Sequence, residues 1–87
     1  MKSKNQKFLK TFVPELVTAY FYDYTRQLPQ SVLLQIQNIL TEETGDTQNF
    51  NLSCGNCIVR MLKMAARMYF TENQEDIPDD LKNRFKL

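Results

Sequence analysis

The stretch Ser53-Cys54-Gly55-Asn56-Cys57-Ile58-Val59-Arg60-Met61-Leu62-Lys63-Met64-Ala65-Ala66-Arg67-Met68-Tyr69 decides the fold. Cys57, Ile58, Met61, Leu62, Ala65, Met68 and Tyr69 recur at the period that places them on one face of an α-helix. Ser53 is positioned to cap that helix, because a hydroxyl there can accept from an N–H with no partner inside the helix. A helix this amphipathic needs other apolar faces to pack against, and the chain on either side supplies them.

Upstream, Val13, Leu16, Val17, Tyr20, Phe21 and Tyr24 keep the helical spacing, with Pro14 in the first turn. Leu28-Pro29 breaks the chain. Val32, Leu33, Ile36, Ile39 and Leu40 then form another apolar face, and Gly45 stands where the residue just past a helix end belongs. Residues 46–52 read as a loop, polar apart from Phe50 and Leu52, whose side chains can tuck onto a core. Phe8 to Val13 fits a short first helix stopped by Pro14, with a loose basic N-terminus over residues 1–7. Residues 72–80 read as an acidic connector, and Ile77-Pro78-Asp79-Asp80 favours a last short turn through Phe85. No stretch alternates apolar and polar residues as a half-buried strand would. The expectation is therefore all-α: one domain over residues 1–87, a small bundle of four to five helices packed antiparallel around one core.

With 87 residues, 43% hydrophobic and 24% charged, the chain has the composition of a globular domain and not of a disordered segment. Domains of this size bury a modest share of their surface, so self-association, most simply as a homodimer, is expected to add stability. A net charge of +1 excludes binding to nucleic acid or an anionic membrane through whole-molecule charge. Charge is instead arranged in blocks: basic around Lys2, Lys4, Lys7 and Lys10, acidic at Glu42, Glu43 and Asp46, basic at Arg60, Lys63 and Arg67, acidic from Glu72 to Asp80, and basic at Lys82, Arg84 and Lys86. Such blocks invite pairing within the chain or steering between chains. No apolar run approaches the roughly 18–20 residues that cross a bilayer, and the basic start is not followed by a secretory core, so the expectation is a cytoplasmic protein with no membrane partner.

Cys54-Gly55-Asn56-Cys57 is the motif with recognised chemistry, since two thiols on one helical turn can ligate a metal or close a disulfide. The pair resembles the Cys-x-x-Cys of the thioredoxin family, with Cys54 matching the nucleophile and Cys57 the resolving position. The resemblance spans four residues: no βαβ pattern surrounds them, and Gly55-Asn56 stands where the family has Gly-Pro. A zinc site needs about four ligands, and a chain with two cysteines and no histidine reaches that number only if Cys54 and Cys57 are shared across a dimer. The plain alternative is that both thiols pack as small apolar groups beside Met61 and Ala65.

Asn56, Arg60, Lys63 and Arg67 form a polar and basic stripe on the same helix, roughly opposite its apolar face. The stripe suits an acidic protein partner or nucleic-acid phosphates, and a solvated helix face would look the same. Among the aromatic residues Tyr20, Phe21, Tyr22 and Tyr24, three are expected to face the core and Tyr22 to point elsewhere. The methionines from Met61 to Met68 suit an irregular core or an adaptable partner groove. Enzymatic chemistry finds little here: there is no histidine and no glycine-rich phosphate loop, and the adjacent acids Glu42-Glu43 and Asp79-Asp80 point to different helix faces.

With Thr25-Arg26-Gln27-Leu28-Pro29 followed by the Cys-Gly-Asn-Cys helix, the chain resembles the small uncharacterised helical proteins of gut bacteria and their bacteriophages. That resemblance implies an accessory or phage-encoded binding protein. The functional expectation is a non-enzymatic interaction protein without a cofactor. It would self-associate and bind a macromolecule, most simply a protein, through Asn56, Arg60, Lys63 and Arg67. A zinc-bridged or redox-active cysteine pair and a small nucleic-acid-binding protein stand as alternatives.

Overall fold

Four α-helices and two 3-10 segments make up the fold: α1 (Ser3–Lys10), α2 (Val13–Tyr22), α3 (Gln30–Thr44) and α4 (Gly55–Glu72), then the 3-10 turns Gln74–Asp76 and Asp79–Arg84. This computed structural model describes residues 1–85; Lys86, the end of the basic C-terminal block, lies outside the described residues. Among the described residues there is no strand, and the chain is a small all-α bundle. Its radius of gyration of 12.1 Å is what a single compact domain of this length should have, about 12 Å.

The breaks between helices follow from local chemistry. Pro14 sits in the first turn of α2, where its missing N–H costs nothing. Asp23 ends that helix in the left-handed region (φ 53°), and the N–H groups of Asp23 and Tyr24 return to the Ala19 and Thr18 carbonyls. Gly45 does the same for α3 at φ 77°, donating to the Thr41 carbonyl at 3.0 Å. At α4 the cap is Cys54 and not Ser53. The Asn51 side chain accepts the Ser53 N–H at 3.0 Å, a local turn that holds Ser53 outside the helix and moves the start on by one residue.

Helix α4 is the centre of the bundle, touching α1, α2, α3 and the Gln74–Asp76 turn. Its Met61, Leu62, Ala65, Ala66, Tyr69 and Phe70 are all buried, against Leu9 of α1, Leu16 and Ala19 of α2, and Leu33, Ile36, Ile39 and Leu40 of α3. Its most extensive contact is with α2, and Ala19 of α2 and Ala65 and Ala66 of α4 are all fully buried. Each large side chain so buried contributes about 1.5–3 kcal/mol, which makes this face the main apolar support of the fold.

Three further expectations change. The N-terminus is not a loose basic tail: α1 is helical from Ser3, and no helix spans Phe8 to Val13. The reason lies in α3, whose last turn carries Glu42 and Glu43 at the end where a helix dipole disfavours negative charge. The start of α1 meets that charge. Lys2 N–H donates to Glu43 at 2.8 Å, the Asn5 amide donates to Glu42 at 2.7 Å and to Glu43 at 2.8 Å, and the Lys2 ammonium lies 3.1 Å from Glu42. These donors hold both carboxyls below the usual carboxylate range, through the Asn5 amide first at Glu42 and the Lys2 N–H first at Glu43.

The acidic connector is also more ordered than a linker. Helix α4 runs to Glu72, Gln74–Asp76 forms a 3-10 turn, and Ile77 is buried. Tyr24, expected to face the core, is exposed, because the left-handed turn at Asp23 ends α2 before the helical spacing reaches it. The 46–52 loop keeps its predicted character, with Phe50 and Leu52 packed against the core. It is fastened to α3 by Gln48 N–H on the Thr41 hydroxyl (3.0 Å) and Phe50 N–H on the Gln37 amide oxygen (2.9 Å).

Candidate functional site

The outward side of α4 gathers most of the residues with functional potential. Asn56, Arg60 and Arg67 are exposed, and Lys63 is half-buried because its ammonium reaches across to Asp23, 2.5 Å away at the end of α2. Asn56, Val59, Arg60, Lys63 and Asp23 line one shallow hollow of about 380 Å³. Arg67 does not share it. It lines a separate hollow with Met1, Glu43, Met68, Thr71 and Glu72, so the far end of the stripe borders carboxylates of the chain itself. Sequence spacing alone missed Asp23, which puts a carboxylate inside the basic surface. The signal that could have found it is the Tyr22-Asp23-Tyr24 unit, since Asp tolerates the left-handed conformation that ends a helix.

Met64, one helical turn beyond Arg60, is partly exposed, and Tyr22 and Tyr24 flank Asp23 in the chain at 56% and 61% exposure. Tyr22 is braced by Arg84, whose guanidinium lies 5.8 Å from the ring centre and donates to the Phe21 carbonyl at 3.2 Å.

At the start of α4 both cysteines are partly exposed and are not bonded to each other. The Cys57 N–H donates to the Cys54 sulfur at 3.2 Å. The Cys57 thiol also hydrogen-bonds that sulfur, and with the Cys57 and Asn56 N–H groups and the nearby Arg60 it pulls the Cys54 thiol below its usual pKa. The reciprocal bond to Cys54, together with desolvation, pushes the Cys57 thiol up. The two thiols have therefore become chemically distinct. They are two donors for a metal, and no cluster of three or more His, Cys, Asp or Glu side chains suited to a metal occurs among the described residues.

Beside this turn lies a groove of about 570 Å³, bounded by Thr25 to Gln30 on one side and by Leu33, Leu52, Ser53, Gly55 and Ile58 on the other. Arg26 on its rim is held by Glu15 at 2.7 Å. Among the described residues no helix is long and apolar enough to cross a membrane. No family model, curated protein or solved structure matches the chain.

Proposed function

We propose that this chain is a non-enzymatic interaction protein that binds an acidic segment of another protein through the outward face of α4. The supporting observation is the hollow in which Asn56, Arg60 and Lys63 converge, on the central helix, whose opposite face packs against α1, α2 and α3. Arg60 and Lys63 supply charge, Asn56 supplies a donor and an acceptor, and Val59 and Met64 add apolar contact, a mixture typical of protein interfaces. Asp23, paired with Lys63, and Val59 give the hollow a mixed charged and apolar lining, which suits the mixed side chains of a protein segment better than a run of phosphates. Arg67 extends the same face by two turns and belongs to its margin. Self-association belongs to the same reading, as a way for a small domain to gain buried surface, and an accessory role in a bacterium or its phage is the setting that the sequence resemblance implies.

The test is a chemical cross-linking pull-down from nuclease-treated cells that express the protein, comparing the wild type, the combined Arg60→Ala, Lys63→Ala and Arg67→Ala variant, and a control carrying Lys4→Ala, Lys7→Ala and Lys10→Ala. The expected result is a discrete protein partner lost only from the α4 variant, with helicity by circular dichroism unchanged. Equal capture by all three would reject this face. Capture abolished by the nuclease would replace the protein partner with nucleic acid. Sedimentation velocity on the same samples reports self-association directly.

A further inference from the structure

The start of α4 holds an unexpected economy: Ser53, a residue type that caps helices well, stands next to the cap position, and the cap is made by sulfur, a weak acceptor. A thiol used only for capping would be a poor choice. A thiol used as a thiolate would be a good one, because the N–H groups of a helix start and its dipole stabilise negative charge on the capping atom. The second cysteine lies on the same turn, with its backbone N–H on the Cys54 sulfur at 3.2 Å, so closing a bond between the two sulfurs asks for little backbone movement.

Both residues are partly exposed, Arg60 lies one turn further on, and the groove lined by Leu33, Leu52, Ser53, Gly55 and Ile58 opens alongside. We infer that Cys54 and Cys57 form a dithiol–disulfide couple in which Cys54 attacks an accessible disulfide and Cys57 resolves the product, with the groove beside Gly55 receiving the flank of the disulfide substrate.

The chemistry balances within the pair and its substrate. The Cys54 thiolate attacks one sulfur of a disulfide RS–SR, forming Cys54–S–SR and expelling one RS⁻. Cys57 then loses its proton and attacks the Cys54 sulfur, so that the Cys54–Cys57 bond forms as the second RS⁻ leaves. Two electrons pass from the cysteine pair to the substrate, and its two thiolates take up the protons that the cysteines release. The unequal thiols suit these roles: the more acidic Cys54 attacks and the less acidic Cys57 waits for the mixed disulfide. This inference shares Arg60 with the proposed binding face but does not rest on partner binding there, and it needs neither Lys63 nor Arg67.

The experiment uses glutathione disulfide as the probe, with the full chain, Cys54→Ser and Cys57→Ser, read by intact mass and by the rate of alkylation with iodoacetamide at neutral pH. Serine retains a capping oxygen at position 54, and circular dichroism checks that each variant is folded. The wild type should end as an intramolecular disulfide, lighter by two hydrogens and free of adduct. Cys57→Ser should stop at one glutathione adduct on Cys54, and Cys54→Ser should react several-fold more slowly than Cys57→Ser. Equal rates in the two single variants, or a wild type that carries glutathione on either thiol without closing its own disulfide, would overturn the inference. So would purified protein holding one zinc per two chains that is lost on either serine substitution, since thiolates committed to a metal are not a free couple.

Discussion

At its C-terminal end α4 buries Tyr69 and Phe70 and offers the Tyr69 carbonyl to the Asn73 amide at 2.9 Å, while Asn73 is itself held by Gln6 of α1 at 2.6 Å. At its N-terminal end the same helix exposes Gly55 and Asn56 and satisfies one N–H with the sulfur of Cys54. One end is tied into the core by aromatic packing and a buried polar network that includes Tyr69 donating to Asp76. The other is held by a local cap and borders open hollows. Buried packing is thus concentrated at one end of the helix and the proposed thiol chemistry lies at the other, so a substitution at one end should leave the other's task largely untouched.

That separation can be broken most severely at Phe70. Phe70→Ala removes a fully buried ring that meets Tyr69 and Phe85, and should cost about 3–5 kcal/mol in urea unfolding. Asn73→Ala should cost less, about 1–3 kcal/mol by the same measurement, because it strands the Gln6 amide and the Tyr69 carbonyl without opening the core.

The pH profile gives a smaller and signed effect. Glu42 and Glu43 have folded pKa values below their unfolded ones, so their contribution is present above the unfolded carboxylate range and is lost as pH falls through the folded values. Asn5→Ala should therefore flatten the acid limb of thermal stability against pH. At the alkaline end burial and the neighbouring Asp76 keep the Tyr69 phenol protonated well above its usual value. Its contribution should be complete below about pH 10 and be lost as pH rises beyond it, and Tyr69→Phe should remove that part of the alkaline decline.

The smallest effect is expected at the other end of α4, where Cys54→Ser replaces a sulfur cap with an oxygen cap. Urea unfolding should then shift by no more than about 0.5 kcal/mol. A loss comparable with that of Asn73→Ala would mean that the N-terminal turn is as firmly built as the C-terminal one.

Apolar spacing was enough to read α2, α3 and α4 and most of the core, because Leu16, Ile36, Leu40, Met61, Leu62, Ala65 and Tyr69 sit where a period of 3.6 places them. The first helix was not readable, since α1 is held by Lys2 and Asn5 meeting Glu42 and Glu43 from a distant part of the chain, a contact that no local pattern announces. Ser53 misled for a related reason: Asn51 competes for its backbone, and capping rank takes no account of that competition. The basic stripe was legible as a stripe. Its division, with Asp23 entering beside Lys63 and Arg67 falling next to Glu43 and Glu72, depends on how α2 and the N-terminus pack on α4.

The central claim is that the outward face of α4 near its N-terminal half is where a protein partner sits. A photoreactive amino acid replacing Asn56, compared with one replacing exposed Gln35 on α3, tests it in cells that express the protein. The prediction is a discrete protein adduct from position 56, abolished by Arg60→Ala with Lys63→Ala, and no such adduct from position 35. Adducts from position 35 with none from position 56 would contradict it.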